Sequence, residues 1–164
     1  EKRLRQAIGL MSVCQEFSAT LVINDDVRLA HQIGAPAVHL GQHDMDLRLA
    51  RMHLGPEVII GVSCYNSLEQ AISAQLAGAD YVAFGAFHSS ATKPGAVQAT
   101  PELLRTARKR LALPLVAIGG ITAENGQFLI RAGAHALAAV SGIFDQPDAK
   151  AVECAAKRYA RLFG

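Results

Sequence analysis

The chain has 164 residues, 51% of them hydrophobic, a net charge of +2 and 5% aromatic residues. That length and apolar content suit a single domain over residues 1–164, and the weak, scattered positive charge and few stacking rings argue against a nucleic-acid partner. No apolar run approaches the ~18 residues of a membrane helix, so no membrane partner is expected.

The opening Glu1-Lys2-Arg3-Leu4-Arg5 is charged and is not followed by an apolar signal core, which makes the cytoplasm the expected location. Cys14, Cys64 and Cys154 are odd in number and far apart, so they read as reduced thiols rather than a disulfide framework or a Cys-x-x-Cys metal site.

From the N-terminus, Leu4 to Phe17 reads as a helix, and the apolar run Leu21-Val22-Ile23 as a strand entering Asn24-Asp25-Asp26. A helix through Arg28 and Ala30 follows, then the strand Ala37-Val38-His39-Leu40, which enters Gly41-Gln42-His43-Asp44. The helix from Asp46 to Leu54 stops at Gly55-Pro56 before the strand Val58-Ile59-Ile60-Gly61-Val62, which ends at Ser63.

Ser67 caps a helix that reaches Leu76, and Gly78 stops it before the strand Tyr81–Ala86. That strand leads to Ser90-Ala91-Thr92-Lys93-Pro94-Gly95. Thr100-Pro101 opens a helix through Arg110, and Leu115-Val116-Ala117-Ile118 ends in Gly119-Gly120. A helix from Thr122 closes at Gly133, the run Ala136–Val140 ends in Ser141-Gly142, and Asp148 caps a last helix from Ala149 to about Leu162.

Continuous apolar strands alternating with helices imply a parallel sheet covered on both faces. Joints of the form Gly-Ala-x before strands recur at Gly34, Gly78 and Gly133, as a barrel of similar βα units would show. No Gly-x-Gly-x-x-Gly turn supports a dinucleotide-binding open sheet. The expected fold is an α/β (β/α)8 TIM barrel. Such a barrel usually needs at least ~200 residues, so about two N-terminal strands are expected to be missing from this chain.

In such barrels chemistry collects at the carboxyl ends of the strands. Ser90, Thr92 and Lys93 offer hydroxyls and an ammonium to an anion. Gly119-Gly120 and Ser141-Gly142 let backbone N–H groups approach a phosphate, or merely make tight turns. Asp25 and Asp44 end consecutive strands and offer hard oxygens suited to Mg²⁺, with helix capping as the structural alternative and Asp26 as the better cap. Asn24 and Ser63 can bind a polar ring or a diphosphate oxygen, or else local backbone. His39 reads as structural, and His43, His53, His88 and His135 show no metal-ligand spacing.

Taken in order, Ile23-Asn24-Asp25-Asp26, His39-Leu40-Gly41-Gln42-His43-Asp44, Gly61-Val62-Ser63, Ser90-Ala91-Thr92-Lys93-Pro94, Ala117-Ile118-Gly119-Gly120-Ile121 and Val140-Ser141-Gly142-Ile143 resemble the motifs of the thiamine phosphate synthase family. The resemblance implies a Mg²⁺-dependent transferase of thiamine biosynthesis. Such an enzyme joins hydroxymethylpyrimidine diphosphate to hydroxyethylthiazole phosphate and releases pyrophosphate.

By the same motifs Asp25 and Asp44 hold Mg²⁺, while Asn24, Ser63 and Lys93 contact the pyrimidine diphosphate, Ser63 and Lys93 being the residues closest to the chemistry. Ser90, Ala91 and Thr92 line the thiazole phosphate, and Gly120, Val140 and Ser141 give it backbone donors. Two departures stand out. Glu1-Lys2 is all that matches an upstream diphosphate-gripping motif, and Cys64-Tyr65-Asn66 lacks the His on which the related thiazole tautomerases rely. The alternatives to a synthase are therefore a tautomerase-like enzyme and a non-catalytic phosphate-binding module, and a homo-oligomer or a fused partner domain is compatible with the chain.

Overall fold

The computed structural model describes residues 1–88 and 98–164. Among them are six strands: β1 (Val22–Asn24), β2 (Ala37–Leu40), β3 (Ile59–Tyr65), β4 (Tyr81–Phe84), β5 (Leu115–Ile118) and β6 (Ala136–Ala138). Their hydrogen-bonded order follows the sequence, β1-β2-β3-β4-β5-β6. Helices stand between consecutive strands: α2 (Val27–Ile33), α3 (Leu47–Leu54), α4 (Leu68–Leu76), α5 (Pro101–Arg110) and α6 (Ala123–Ala132). Helix α1 (Lys2–Glu16) precedes the sheet, and α7 (Ser141–Phe144) and α8 (Ala149–Ala160) follow it. This is an α/β fold, and its six strands are the six expected from the apolar runs.

The chain forms two compact units. The first comprises Glu1–Ser63 with Ser73–Val82. In it β1 pairs with β2 and β2 with β3, both in parallel, with Asn24 opposite His39 and His39 opposite Gly61. Its core is aliphatic: Ile23, Val27, Ala30, Val38, Leu40, Ala50, Ile60 and Val82 are buried. The helices here start where capping chemistry dictates, since Asp26 Oδ1 accepts the Leu29 N–H at 2.9 Å and Asp46 Oδ1 the Arg48 N–H at 2.9 Å. Arg51 on α3 reaches the carbonyls of Gly55, Val58 and Gly78 and the carboxylate of Asp80, tying helix ends to strand starts.

The second unit comprises Cys64–Ile72 with Ala83–Gly164. There β5 and β6 pair in parallel, Val116 opposite Ala136. Phe84, Leu104, Leu115 and Leu129 are large apolar side chains fully buried in it. Each such burial stabilises the fold by roughly 1.5–3 kcal/mol. Ser67 Oγ accepts the Gln70 N–H at 3.2 Å, Thr100 Oγ1 the Leu103 N–H at 3.4 Å and Asp148 Oδ1 the Ala151 N–H at 2.8 Å, so these three expected caps are in place.

The last strand is shorter than its sequence suggests. β6 stops at Ala138, and Val140 becomes the N-cap of the four-residue helix α7 rather than a strand end. An apolar run continues through Val140, so hydropathy alone does not mark the turn.

Candidate active site

In the first unit the carboxyl ends of β1, β2 and β3 bring polar groups side by side. Asn24 is the last residue of β1, and Asp25 follows in a left-handed conformation, φ 67°. Its N–H donates to the His39 carbonyl at 2.8 Å, which fixes Asp25 beside the end of β2. Because Asp26 takes the capping role on α2, Asp25 is released from it.

After β2 the chain makes a tight loop in which the Gly41 N–H donates to Asp44 Oδ2 at 2.6 Å. The cap of α3 is Asp46, so Asp44 does not serve that helix. Asp25 is exposed and Asp44 half-buried. Both carboxylates thus sit beyond the ends of adjacent parallel strands with the local capping work done by their neighbours.

Ser63 lies two residues beyond Gly61 on β3, on the same face, because side chains alternate along a strand. Its Oγ is 2.8 Å from His39 Nε2, and His39 Nδ1 is 2.9 Å from the Tyr81 hydroxyl. The His39 and Tyr81 rings stack with centroids 5.5 Å apart. Burial pushes the His39 imidazole below its ordinary range, with Asp44 pulling weakly the other way. The ring is therefore neutral near pH 7.

In the second unit β5 ends in Gly119 and Gly120, with φ 89° and 63°. Gly119 permits a close backbone approach: a Cβ there would lie 2.4 Å from the Ala86 Cβ. The Gly119 carbonyl accepts the His88 N–H at 3.1 Å, and the Gly120 carbonyl accepts the Asn125 side-chain amide at 3.0 Å. Thr122 and Asn125 form a reciprocal capping box on α6.

Val140 and Ser141, both exposed, lead into α7. The Tyr159 hydroxyl on α8 donates to the Ile121 carbonyl at 2.8 Å, and a Cβ on Gly142 would come within 2.0 Å of the Tyr159 hydroxyl oxygen. One side chain thereby packs the β5 turn and the start of α7 against α8.

Ser90, Ala91, Thr92 and Lys93 lie outside the described residues. Cys64 is buried, and burial pushes its thiol up to about 12, so it stays protonated and is no nucleophile. Among the described residues no group of three or more His, Cys, Asp or Glu side chains is placed to hold a metal ion. Sequence reasoning did not find Tyr81 or Tyr159. Their one signal is a hydroxyl-bearing ring within an otherwise apolar strand or helix face.

The sequence profile of one family, thiamine monophosphate synthase, matches residues 1–143. The chain belongs to this family. It is 52% identical over 162 residues to the thiamine-phosphate synthase of Thiobacillus denitrificans, covering 99% of this chain and 75% of that protein. It is 50% identical over 158 residues to the thiamine-phosphate synthase of Nitrosococcus oceani, covering 96% and 73%.

Among solved structures, the thiamine phosphate pyrophosphorylase of Pyrococcus furiosus superposes with a TM-score of 0.87 at 30% identity, covering 99% of this chain and 78% of that one. A 3-hexulose-6-phosphate synthase superposes with a TM-score of 0.69 at 18% identity, a likeness of fold alone. The family match spans the residues of the motifs from Asn24 to Ser141. Among the described residues no helix is long and apolar enough to cross a membrane.

Proposed function

We propose that this chain is a thiamine phosphate synthase, a transferase that joins hydroxymethylpyrimidine diphosphate to hydroxyethylthiazole phosphate and releases pyrophosphate. The observation that carries this reading is the roughly half identity, over nearly the whole chain, to thiamine-phosphate synthases. The strand order and parallel registers support a (β/α)8 barrel as the parent architecture.

In this reading Asn24, Ser63 and Lys93 hold the pyrimidine diphosphate. Ser90, Ala91 and Thr92 receive the thiazole phosphate together with backbone donors from Gly120, Val140 and Ser141. Asp25 and Asp44 fit Mg²⁺ by their chemistry: both are hard-oxygen donors beyond the ends of adjacent parallel strands, and Asp44 Oδ2 is oriented by the Gly41 N–H. Two carboxylates suffice for an ion that takes its other ligands from phosphate and water. When bound, Mg²⁺ supplies positive charge that offsets the charge of the diphosphate.

The remaining work is orientation and charge stabilisation. The carbon–oxygen bond of the pyrimidine methylene breaks, pyrophosphate leaves with the electron pair, and the thiazole nitrogen donates its lone pair to the carbocation. Such a step requires no protein nucleophile, which agrees with a Cys64 thiol held protonated. Lys93 offers a cation to the leaving group.

The test is pyrophosphate release from both substrates with and without Mg²⁺. Metal-dependent release is expected, falling about a hundredfold or more in Asp25→Ala or Asp44→Ala. Release indifferent to the metal and to both substitutions overturns the metal assignment. Binding of the thiazole phosphate with no release overturns the synthase in favour of a binding module. Metal-independent isomerisation of a thiazole substrate favours the tautomerase.

A further inference from the structure

The face of the sheet that carries Ser63 holds a chain of three hydrogen-bonded side chains, Ser63, His39 and Tyr81. Ser63 Oγ meets His39 Nε2 at 2.8 Å, and His39 Nδ1 meets the Tyr81 hydroxyl at 2.9 Å. Both nitrogens of one ring are thereby engaged. A neutral imidazole has one N–H and one lone pair, so one partner must donate into the ring and the other must accept from it.

The choice between the two arrangements follows from the partners. A phenol, with its pKa near 10, is the stronger donor, and its oxygen shares its lone pairs with the ring and accepts less well than an alcohol. Tyr81 therefore donates to Nδ1, and Nε2–H donates to Ser63 Oγ. With its oxygen accepting from the ring, the Ser63 hydroxyl keeps its own proton for a group outside the chain.

The packing holds this arrangement. Gly61 faces His39 across the β2–β3 ladder, and a Cβ at Gly61 would lie 1.9 Å from Tyr81 Cζ. The missing side chain is what admits the Tyr81 ring, which then stacks on His39 at 5.5 Å.

We propose that Tyr81 is a positioning residue: acting through His39, it fixes the Ser63 hydroxyl as a hydrogen-bond donor toward the pyrimidine diphosphate. The proposal rests on the reading that Ser63 contacts that substrate, and it adds the device that sets the direction of the contact.

The experiment compares Tyr81→Phe, Ser63→Ala and the double variant by steady-state kinetics, varying each substrate in turn. Phe keeps the ring over Gly61 and removes the hydroxyl alone. Tyr81→Phe should lower kcat/KM for the pyrimidine diphosphate by about 3- to 10-fold, the worth of one neutral hydrogen bond, and leave KM for the thiazole phosphate unchanged. The double variant should be no worse than Ser63→Ala, because the two residues act through one hydroxyl.

An impaired Ser63→Ala beside a Tyr81→Phe of wild-type kinetics overturns the proposal and leaves the substrate contact standing, as do independent losses that multiply in the double variant. A Ser63→Ala of wild-type kinetics removes the substrate contact itself, and the proposal with it. Independently of any variant, NMR of the ring nitrogens should find His39 as the Nε2–H tautomer near neutral pH. An Nδ1–H tautomer overturns the proposal whatever the kinetics give.

Discussion

Gly61 and Gly142 are two residues where a single added methyl group would clash with a tyrosine. At Gly61 the intruding atom would sit 1.9 Å from the Tyr81 ring carbon, and at Gly142 2.0 Å from the Tyr159 hydroxyl oxygen. Neither ring is free to retreat, since each hydroxyl is bonded, one to His39 and the other to the Ile121 carbonyl. Gly61→Ala should therefore lower stability by about 1–3 kcal/mol, the usual range for overpacking. Urea unfolding followed by circular dichroism checks this, and an unchanged midpoint would show that the ring relocates without strain. At the same scale, the helix-capping work beside Asp25 and Asp44 is done by their neighbours Asp26 and Asp46.

At the scale of elements, helices α2 to α6 each begin at a side-chain cap, so the chain leaving each preceding strand is tied to the first turn that follows it. Helix α6 has the most complete example. The Asn125 N–H donates to Thr122 Oγ1 at 3.3 Å, the Thr122 N–H donates to Asn125 Oδ1 at 2.9 Å, and the Asn125 amide also reaches the Gly120 carbonyl. Thr122→Ala removes one arm of this box and should cost about 1 kcal/mol of stability. Because the Asn125 contact to Gly120 survives, the variant should lose stability with little change in KM for the thiazole phosphate. A large rise in that KM at unchanged stability would contradict the assignment of Thr122 as a purely structural cap.

For the whole molecule, pH is the variable that sequence position does not announce. His135 Nδ1 accepts the Leu115 N–H at 2.9 Å, so the folded state requires a neutral ring. Burial first, and then the charge of Arg108, push its pKa below the ordinary 6.5. In the unfolded chain the ring takes up a proton near 6.5, while the folded state resists until lower pH. The stabilisation is thus complete above about 6.5 and is lost as pH falls through the folded value. An Asn at this position offers an acceptor that does not titrate, so His135→Asn should lose less Tm than the wild type between pH 7 and 5. Parallel Tm curves for the two proteins would remove His135 from the acid response.

The alternation of apolar runs with capped helices determined the strand count among the described residues and the ends that carry Asn24, Asp25, Asp44 and Gly120, because strand pattern, caps and glycine turns depend on groups a few residues apart; Ser63, expected at a strand end, lies inside β3, which runs on to Tyr65. Helix α7 escaped because four residues are too few to show a period, and Val140 continues the apolar run before it. What only the tertiary structure decided are the contacts made by side chains distant in sequence. His39 meets Tyr81 across 42 positions and Ser63 across 24, and Tyr159 reaches Ile121 across 38. Such contacts depend on strand register and helix placement, which the whole set of burial interactions fixes together, so no local pattern encodes which hydroxyl a histidine will hold.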